Sequence, residues 1–514
     1  MNTVRMLSSV LTVGGWTLLS RLLGFVRDVL ITNLIGPGPV MDAFVAAFRL
    51  PNMFRRFFAE GAFNAAFVPM FSKRLESGED PDGFASDAMS GLTFALLVLS
   101  TLAIIFMPAL VWATAEGFVG DQRFDMAVDY GRVVFPYIVF ISLAALFSGA
   151  LNAAGKFAAA AAAPVLLNIL LCAAMGLAYV TGKVQVIDAL IWTIPVAGLA
   201  QLALVWQAAR NAGLHFRFRR PTLSPDMRRL IRIAVPAALA GGVVQINLLV
   251  GQIVASNYEG AVSWLYAADR LYQLPLGVVG IAIGIVLLPD LSRRLKTGDD
   301  LGSREALSRA GEMSLVLTLP CAVALVVIPF PLVSVLFERG AFDTDDTAAT
   351  ALAVTVYGLG LPAFVLQKVV QPVFFAREDT QSPFRYALVA MAVNAGIAIG
   401  LAPFIGWIAA ALATTLAAWI MLWLLVRGAR AMGDTTRFDR RFRNRVWRIT
   451  LASALMGAVL AGLMLALGPA FGLPGWRWLA LVVLIALGTA SYFGFGTLTR
   501  AFALTEFRMA LRRR

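Results

Sequence analysis

The chain has 514 residues, of which 59% are hydrophobic and only 14% are charged. Soluble proteins average about 25% charged residues, so a soluble chain of this composition could not cover its own surface. The composition therefore excludes a soluble enzyme, a disordered protein and a fibrous protein. The net charge of +13 is typical of a membrane protein with basic cytoplasmic loops and needs no nucleic-acid partner.

Long apolar runs between polar breaks predict about fourteen membrane-spanning helices, because one span needs about 20 apolar residues. The predicted fold class is an all-α polytopic membrane protein. The spans are 8–34, 40–71, 88–115, 129–152, 160–181, 186–209, 229–256, 262–290, 312–337, 347–375, 384–404, 407–427, 446–468 and 477–498.

The basic residues alternate between the two sides of these spans. With the N-terminus inside, 31 of the 43 basic residues fall in cytoplasmic segments, whereas five fall outside: Arg123, Arg132, Lys183, Arg339 and Arg477. Such an excess of positive charge marks the cytoplasmic side. We expect both termini to be cytoplasmic. The acidic residues Glu338, Asp343, Asp345 and Asp346 fall in an outside loop, where we expect them to be solvated.

The first six predicted helices repeat weakly as helices seven to twelve. Segment 68–78 resembles 288–298 at an offset of 220, and 47–50 resembles 268–271 at an offset of 221. Six is an even number, so the two lobes share one topology and are related by a pseudo-two-fold axis along the membrane normal. The predicted domains are an N-lobe at 1–211, a basic cytoplasmic linker at 212–228, a C-lobe at 229–430, and two further helices with a basic tail at 431–514.

Two six-helix lobes are typical of transporters that bind substrate between the lobes. Phosphate-loop, nucleophile-elbow and zinc-protease motifs are absent from the sequence, so we do not expect an enzyme. Seven basic residues lie well away from the ends of the predicted spans, and each costs about 2.5–3.5 kcal/mol at a helix centre. They are Arg21, Arg27, Arg49, Arg55, Arg56, Arg270 and Lys368.

The charges in the first two spans have two interpretations. Five arginines face only three acids, Asp28, Asp42 and Glu60, and this positive excess predicts an anionic ligand such as a phosphate. The alternative is that ion pairs merely hold helices together. The candidate pairs are Arg27 with Asp28 or Asp42, Arg56 with Glu60, and Arg270 with Asp269.

Several of these residues belong to motifs that resemble a known family. The motifs are Ser-Arg-Leu-Leu-Gly-Phe-Val-Arg-Asp at 20–28, Asp-Ala-Phe at 42–44, Phe-Arg-Leu-Pro-Asn-Met-Phe-Arg-Arg at 48–56, Phe-Ala-Glu-Gly-Ala-Phe at 58–63, Ala-Asp-Arg-Leu-Tyr-Gln-Leu-Pro at 268–275 and Ala-Arg-Glu-Asp-Thr at 376–380. Their combination resembles the MurJ (MviN) family of bacterial lipid II flippases, within the multidrug/oligosaccharidyl-lipid/polysaccharide exporter superfamily. The resemblance covers nearly the whole chain.

This resemblance implies a cationic central cavity that binds the pyrophosphate of lipid II. By motif position, the substrate-binding residues are Arg21, Arg27 and Arg55 of the first lobe and Arg270 of the second. The implied gating or orienting residues are Asp28, Asp42, Arg49, Arg56, Glu60 and Asp269. In the family, the last two helices border a groove for the undecaprenyl tail.

Some members have a sodium site in the second lobe. Asn394 is a candidate remnant, but no acidic ligand set accompanies it, so no metal or cofactor is predicted and sodium coupling stays open.

The function that this resemblance implies is translocation of lipid II, the lipid-linked peptidoglycan precursor, from the inner to the outer leaflet of the bacterial cytoplasmic (inner) membrane by alternating access. The expected driving force is the membrane potential, since the sequence lacks an ATP motif. The expected partners are lipid II and membrane lipids, with cell-wall synthesis proteins as further candidates and no nucleic acid.

Three alternatives stay open at this point. The protein could be a flippase for another undecaprenyl-pyrophosphate-linked oligosaccharide, or a multidrug exporter of the same superfamily. It could also be a membrane scaffold for wall-synthesis enzymes. A multidrug exporter of cations should carry more intramembrane acids than arginines, and here the arginines are in excess.

Overall fold

The structure is a computed structural model that describes residues 3–55, 63–297, 299–377, 379–433, 436–471, 473 and 475–502. Side chains are described in these ranges except at 3–11, 65, 236–248, 278–286, 288–289, 292 and 295–296. The described chain forms eighteen α-helices and a short 3-10 turn at Glu116–Phe118, and it contains no strand. Arg56 and Glu60, two of the predicted site residues, lie outside the described residues.

Contacts divide the chain into two compact units, Met1–Ser263 and Trp264–Arg514. The helices that begin in the first unit are α1 (Thr3–Ile35), α2 (Pro39–Arg55), α3 (Phe63–Ser77), α4 (Pro81–Ile105), α5 (Met107–Thr114), α6 (Gln122–Val134), α7 (Tyr137–Ala153), α8 (Ala158–Thr181), α9 (Val186–Asn211), α10 (Pro225–Ser256) and α11 (Ala261–Lys296). The second unit contains most of α11, and its boundary falls three residues into that helix.

The remaining helices all lie in the second unit. They are α12 (Asp300–Val327), α13 (Pro329–Phe337), α14 (Thr344–Phe375), α15 (Gln381–Ile405), α16 (Ile408–Ala431), α17 (Arg440–Phe471) and α18 (Arg477–Leu498). Helix α10, which the sequence repeat assigns to the C-lobe, packs in the first unit against α3 and α5. The lobe boundaries at 211 and 229 stay a prediction from the repeat.

Ten helical segments of the described chain are long and apolar enough to cross a membrane. The protein is therefore a multi-pass, all-helical membrane protein, as predicted, while the count of fourteen spans stays a prediction. Three predicted spans are each divided into two helices: 88–115, 129–152 and 312–337. Proline lies at each break, at Pro108, Pro136 and Pro329. Proline has no backbone N–H, so it interrupts a continuing helix and suits the first turn of the next one.

Asp and Ser side chains fix where several helices begin. Asp80, Asp121, Ser224 and Asp299 each accept a hydrogen bond from a backbone N–H of the following helix. At α14, Asp343 accepts from the N–H of Asp346, whose side chain accepts from the N–H of Asp343, which is a capping box. Such caps satisfy N–H groups that have no partner within the helix. They place charged residues at the helix ends and leave the apolar interiors for the bilayer.

The two units repeat the same helix packing. In the first unit α9 packs against α7 and α8, and in the second α16 packs against α14 and α15. These are the pairs that the repeat of helices four to six as ten to twelve predicts. Among apolar spans in lipid, association depends on close van der Waals packing and interhelical hydrogen bonds. One such bond joins the buried Gln201 of α9 to the carbonyl of Ala163 on α8, at 2.8 Å.

The last helix pair, α17 and α18, packs on α12 and α13 of the second unit. Tyr492 is buried there and donates a hydrogen bond to the carbonyl oxygen of Val316, at 2.7 Å. At one end, Arg477 binds Glu338 at 2.9 Å, and at the other, Arg445 binds Glu312 at 3.2 Å. Three polar contacts at different points along the pair therefore join α17 and α18 to the rest of the second unit.

The prediction that Glu338 is solvated is wrong. Its side chain is 13% exposed, because it pairs with Arg477 and also accepts a hydrogen bond from the hydroxyl of Thr347. Asp346 is half-buried and accepts a hydrogen bond from the indole N–H of Trp264, at 2.7 Å. Asp343 and Asp345 are exposed, as expected.

Candidate functional site: charged residues within the helices

Arg27 of α1 is held between an acid on its own helix and an amide on another. Its Nε and Nη2 donate to one oxygen of Asp28, at 3.0 and 2.7 Å, and its Nη1 donates to Oδ1 of Asn168 on α8, at 2.9 Å. The arginine side chain is 14% exposed and that of Asp28 is 4% exposed. A guanidinium that is buried to this extent needs such partners, since an unpaired buried charge is costly.

The other first-unit arginines of the predicted site differ in exposure. Arg21 lies on α1 and is exposed, whereas Arg49 and Arg55 lie on α2 and are half-buried. Helix α2 continues through Pro51 as far as Arg55. The helix is therefore not broken at this proline.

Asp42 near the start of α2 is fully buried and accepts hydrogen bonds from three groups beyond α10. Its Oδ2 accepts from the backbone N–H of Gly260 at 2.8 Å, and its Oδ1 accepts from the N–H and the hydroxyl of Ser263 at 2.9 and 2.5 Å. The guanidinium of Arg123 lies 3.5 Å from Oδ2. This carboxylate thus joins α2 to the turn after α10 and to the first turn of α11.

Arg123 is itself almost completely buried. Its Nε donates to Asp121 at 2.7 Å, and its guanidinium stacks over the ring of Phe118, 4.6 Å from the centroid. Partial burial by itself raises the pKa of Asp121, but the N–H and guanidinium of Arg123 outweigh this and hold the pKa below its ordinary value of 3.8. Asp121 therefore keeps its negative charge at neutral pH, and it orients Arg123 toward Asp42.

Two further contacts in the first unit involve the end of α10. Gln252 of α10 donates to the carbonyl oxygen of Thr114 at 3.1 Å, and the N–H of Gly117 donates to the hydroxyl of Ser256 at 3.0 Å. Gly117 packs directly on the backbone: a Cβ there would lie 2.4 Å from the nitrogen of Asn257. The end of α10 is therefore joined to the first unit by hydrogen bonds to several elements.

Asp269 and Arg270 form the charged cluster of the second unit. The two side chains lie 3.6 Å apart, each is 28% exposed, and Gln273 donates a hydrogen bond to Asp269. The guanidinium of Arg270 stacks on the ring of Tyr266, 4.5 Å from its centroid, which is a favourable cation–π contact. Arg270 is thus positioned by an acid and an aromatic ring of its own helix.

Two of the three predicted pairs are present in the described residues. Arg27 pairs with Asp28, and Arg270 with Asp269. The alternative partner of Arg27, Asp42, instead contacts Arg123, which the sequence places in an outside loop. The pair of Arg56 and Glu60 falls outside the described residues.

Sequence reasoning missed Arg123, Ser263 and the role of Asn168. The available signals were Asn168 itself, a lone amide in an apolar span, and the position of Ser263 at the repeat offset from Asp42.

Comparison with known proteins assigns a family. Residues 31–487 match the family described as lipid II flippase MurJ. The chain is 45% identical over 456 residues to a probable lipid II flippase MurJ of Rhizobium tropici, covering 88% of this chain and 85% of the relative. It is 36% identical over 434 residues to the lipid II flippase MurJ of Burkholderia cenocepacia, covering 83% and 84%.

Solved structures agree with this assignment. A lipid II flippase MurJ in an inward closed conformation has a TM-score of 0.79 at 25% identity, covering 95% of this chain and 98% of that chain. An inward-facing MATE-family multidrug resistance transporter of the MOP superfamily has a TM-score of 0.67 at 15% identity, covering 80% and 94%, a likeness of fold alone.

A multi-pass helical protein of this fold, with arginines inside its helices, is a membrane transporter of the fold shared by MurJ and MATE proteins. The predicted fold class and resemblance are confirmed. The chain belongs to the MurJ lipid II flippase family, which is a family of inner-membrane transporters and not of enzymes.

Proposed function

We propose that this protein translocates lipid II from the inner to the outer leaflet of the cytoplasmic membrane and so supplies peptidoglycan synthesis. The observation that carries the proposal is the match to MurJ flippases, at 45% identity over most of the chain. The positive excess inside the helices supports it, because the pyrophosphate of lipid II is an anion that guanidinium groups bind in a bidentate manner.

Arg21, Arg27, Arg55 and Arg270 are the proposed pyrophosphate ligands. Arg27 and Arg270 each have a partly buried guanidinium beside a carboxylate. The carboxylate reduces the cost of burying the positive charge while no phosphate is bound. Asp28 and Asp269 are the corresponding orienting residues. Arg49, Arg56 and Glu60 are proposed as gating or orienting residues on motif position alone.

Asp42 is the proposed gating residue with the clearest structural support. Its hydrogen bonds to Gly260 and Ser263 hold the end of α10 and the start of α11 on α2. Alternating access requires contacts that form in one state and break in another. A carboxylate on backbone N–H groups suits this task, because water replaces those partners once the contact opens.

The membrane potential is the proposed driving force. An inside-negative potential favours outward movement of negative charge by about 2.3 kcal/mol per charge per 100 mV. It also favours return of an empty cationic site toward the inside. The proposal places both termini in the cytoplasm, in agreement with the basic residues, and the lipid tail along α17 and α18. Lipid II exposure that continues undiminished in fully depolarised cells would contradict the role of the potential.

The proposal is tested by measuring lipid II in the outer leaflet with an externally added enzyme that cleaves it. Cells depleted of the protein receive the wild type, Arg270→Ala or Arg132→Ala. Arg132 is a matched control, because its side chain is 45% exposed and pairs only at 3.6 Å with Asp129. We expect exposure to collapse on depletion and to return with the wild type and Arg132→Ala but not with Arg270→Ala.

Each departure from this result has a definite meaning. Exposure that is unchanged on depletion, in cells with no second flippase, contradicts lipid II as the substrate and favours another lipid-linked oligosaccharide. Full rescue by Arg270→Ala contradicts the arginine assignment and favours a scaffold.

A further inference from the structure

Asn168 of α8 makes two hydrogen bonds to α1, and both use its amide. Its Oδ1 accepts from Nη1 of Arg27 at 2.9 Å, and its Nδ2 donates to the carbonyl oxygen of Ser20 at 3.0 Å. The residue is 4% exposed. A carbonyl oxygen has two lone pairs, so Ser20 can accept this bond in addition to its helical one.

These two bonds fix which way the amide faces. If the amide were turned over, its NH2 group would face the guanidinium and its oxygen would face a carbonyl, so both bonds would become repulsive. Gly24 lies beside it on α1, where a Cβ would be 3.4 Å from Nδ2. This distance is an ordinary van der Waals contact, so Asn168 lies directly beside α1 at this position.

Asn168 restrains Arg27 in a way that Asp28 does not. Asp28 adjoins Arg27 in the chain and moves with the same helix, whereas Asn168 belongs to α8, which packs along α1. The guanidinium is therefore held through Nε and Nη2 by its own helix and through Nη1 by a second helix. Its plane has a defined direction with respect to the first unit.

We propose that Asn168 is a positioning residue that orients the Arg27 guanidinium for the phosphate group of the transported lipid; this inference rests on the proposed function. An amide suits the task because it accepts from Arg27 without cancelling its charge. Asp28 already supplies one negative charge beside Arg27. A carboxylate at position 168 would give the cluster a net negative charge and repel a phosphate.

The experiment measures the affinity of the purified full-length protein for lipid II, together with its thermal unfolding midpoint. The variants are Asn168→Ala, Asn168→Asp, Arg27→Ala and the double variant Asn168→Ala with Arg27→Ala. Gln201→Ala is the matched control. Gln201 is also a buried amide that joins two first-unit helices, but its partners are Ala163 and Tyr137.

We expect Asn168→Ala to weaken binding about tenfold, the effect of one hydrogen bond to a charged group. Asn168→Asp, which keeps the size and the bond from Arg27, should weaken binding further. In the Arg27→Ala background, Asn168→Ala should cause no additional loss. Gln201→Ala should lower the unfolding midpoint and leave the affinity unchanged.

Two results would overturn the inference. One is wild-type affinity in Asn168→Ala or Asn168→Asp. The other is an equal loss from Asn168→Ala with and without Arg27, which would mean that Asn168 acts on the fold and not through Arg27. A folded wild-type protein that does not bind lipid II would instead contradict the proposed function, so the two failures are distinguishable.

Discussion

Asp42 and Ser263, which lie 221 residues apart, are joined by two hydrogen bonds to one carboxylate oxygen. The sequence repeat relates segments 47–50 and 268–271 at this same offset, so the two residues hold equivalent positions in the repeat. The contact lies within the first unit, where it joins α2 to the first turn of α11.

Asp42→Asn should lower the free energy of unfolding by about 2 kcal/mol, because an amide cannot accept from all of Gly260 and Ser263 and leaves a buried N–H unpaired. Ser263→Ala removes only the hydroxyl bond and should cost about 1 kcal/mol. Thermal unfolding of the purified variants compares them. Equal losses from the two substitutions would show that the hydrogen bonds from the backbone N–H groups of Gly260 and Ser263 to the carboxylate add no stability.

Gly117→Ala should displace the end of α10. The added methyl group would lie 2.4 Å from the backbone nitrogen of Asn257, and a backbone atom cannot move aside as a side chain can. We expect a loss of more than about 2 kcal/mol in the free energy of unfolding. Gly176→Ala in α8 is the control, since a Cβ there meets nothing within 4 Å. A Gly117→Ala protein as stable as this control would contradict the close approach.

The sequence predicted the helices well and their contacts poorly, for physical reasons. Apolar runs of span length identify helices because the bilayer imposes both length and polarity. Adjacent charges such as Asp269 and Arg270 could be paired by inspection. The contacts of Asn168 with α1 depend on how two distant helices pack, and no local pattern specifies that. The breaks at Pro136 and Pro329 were available from the sequence, but the high hydropathy on both sides concealed them.

Glu312 holds the end of α17 on α12. Its buried carboxylate, 5% exposed, binds Arg445 at 3.2 Å and also pairs with Arg309. Breaking a fully buried pair costs about 3–5 kcal/mol, and since both arginines are partly exposed to water we expect about 2 kcal/mol for Glu312→Ala. Glu305→Ala is the control, because Glu305 is 67% exposed and lies 3.9 Å from Arg309. The measurement is thermal unfolding, and equal losses in both variants would refute the role of burial.

Tyr492→Phe should destabilise the packing of α18. The substitution keeps the ring and removes the hydroxyl that donates to the carbonyl of Val316, so about 1 kcal/mol should be lost. Tyr179→Phe, at a residue that is 68% exposed, should have almost no effect. Thermal unfolding of both variants tests this, and an unaltered midpoint for Tyr492→Phe would show that the hydroxyl contributes nothing to stability.

Asp121 should make stability depend on acid pH. Its pKa is lowered in the folded protein, so it stabilises the fold above its ordinary pKa of 3.8, and this stabilisation is lost as the pH falls through the lower folded pKa. The difference in unfolding midpoint between wild type and Asp121→Asn should be present at neutral pH and shrink below about pH 4. A difference that grows on acidification would have the wrong sign.

Lipid II translocation by the purified protein in vesicles tests the central claim most directly. Vesicles with lipid II in both leaflets carry the wild type, Arg27→Ala, Arg270→Ala or no protein, under an inside-negative potential, and an external enzyme cleaves the exposed lipid. The account predicts that cleavage proceeds beyond the outer-leaflet pool only with the wild type. Cleavage that stops at that pool with folded wild-type protein, or that proceeds equally with the arginine variants, would contradict it.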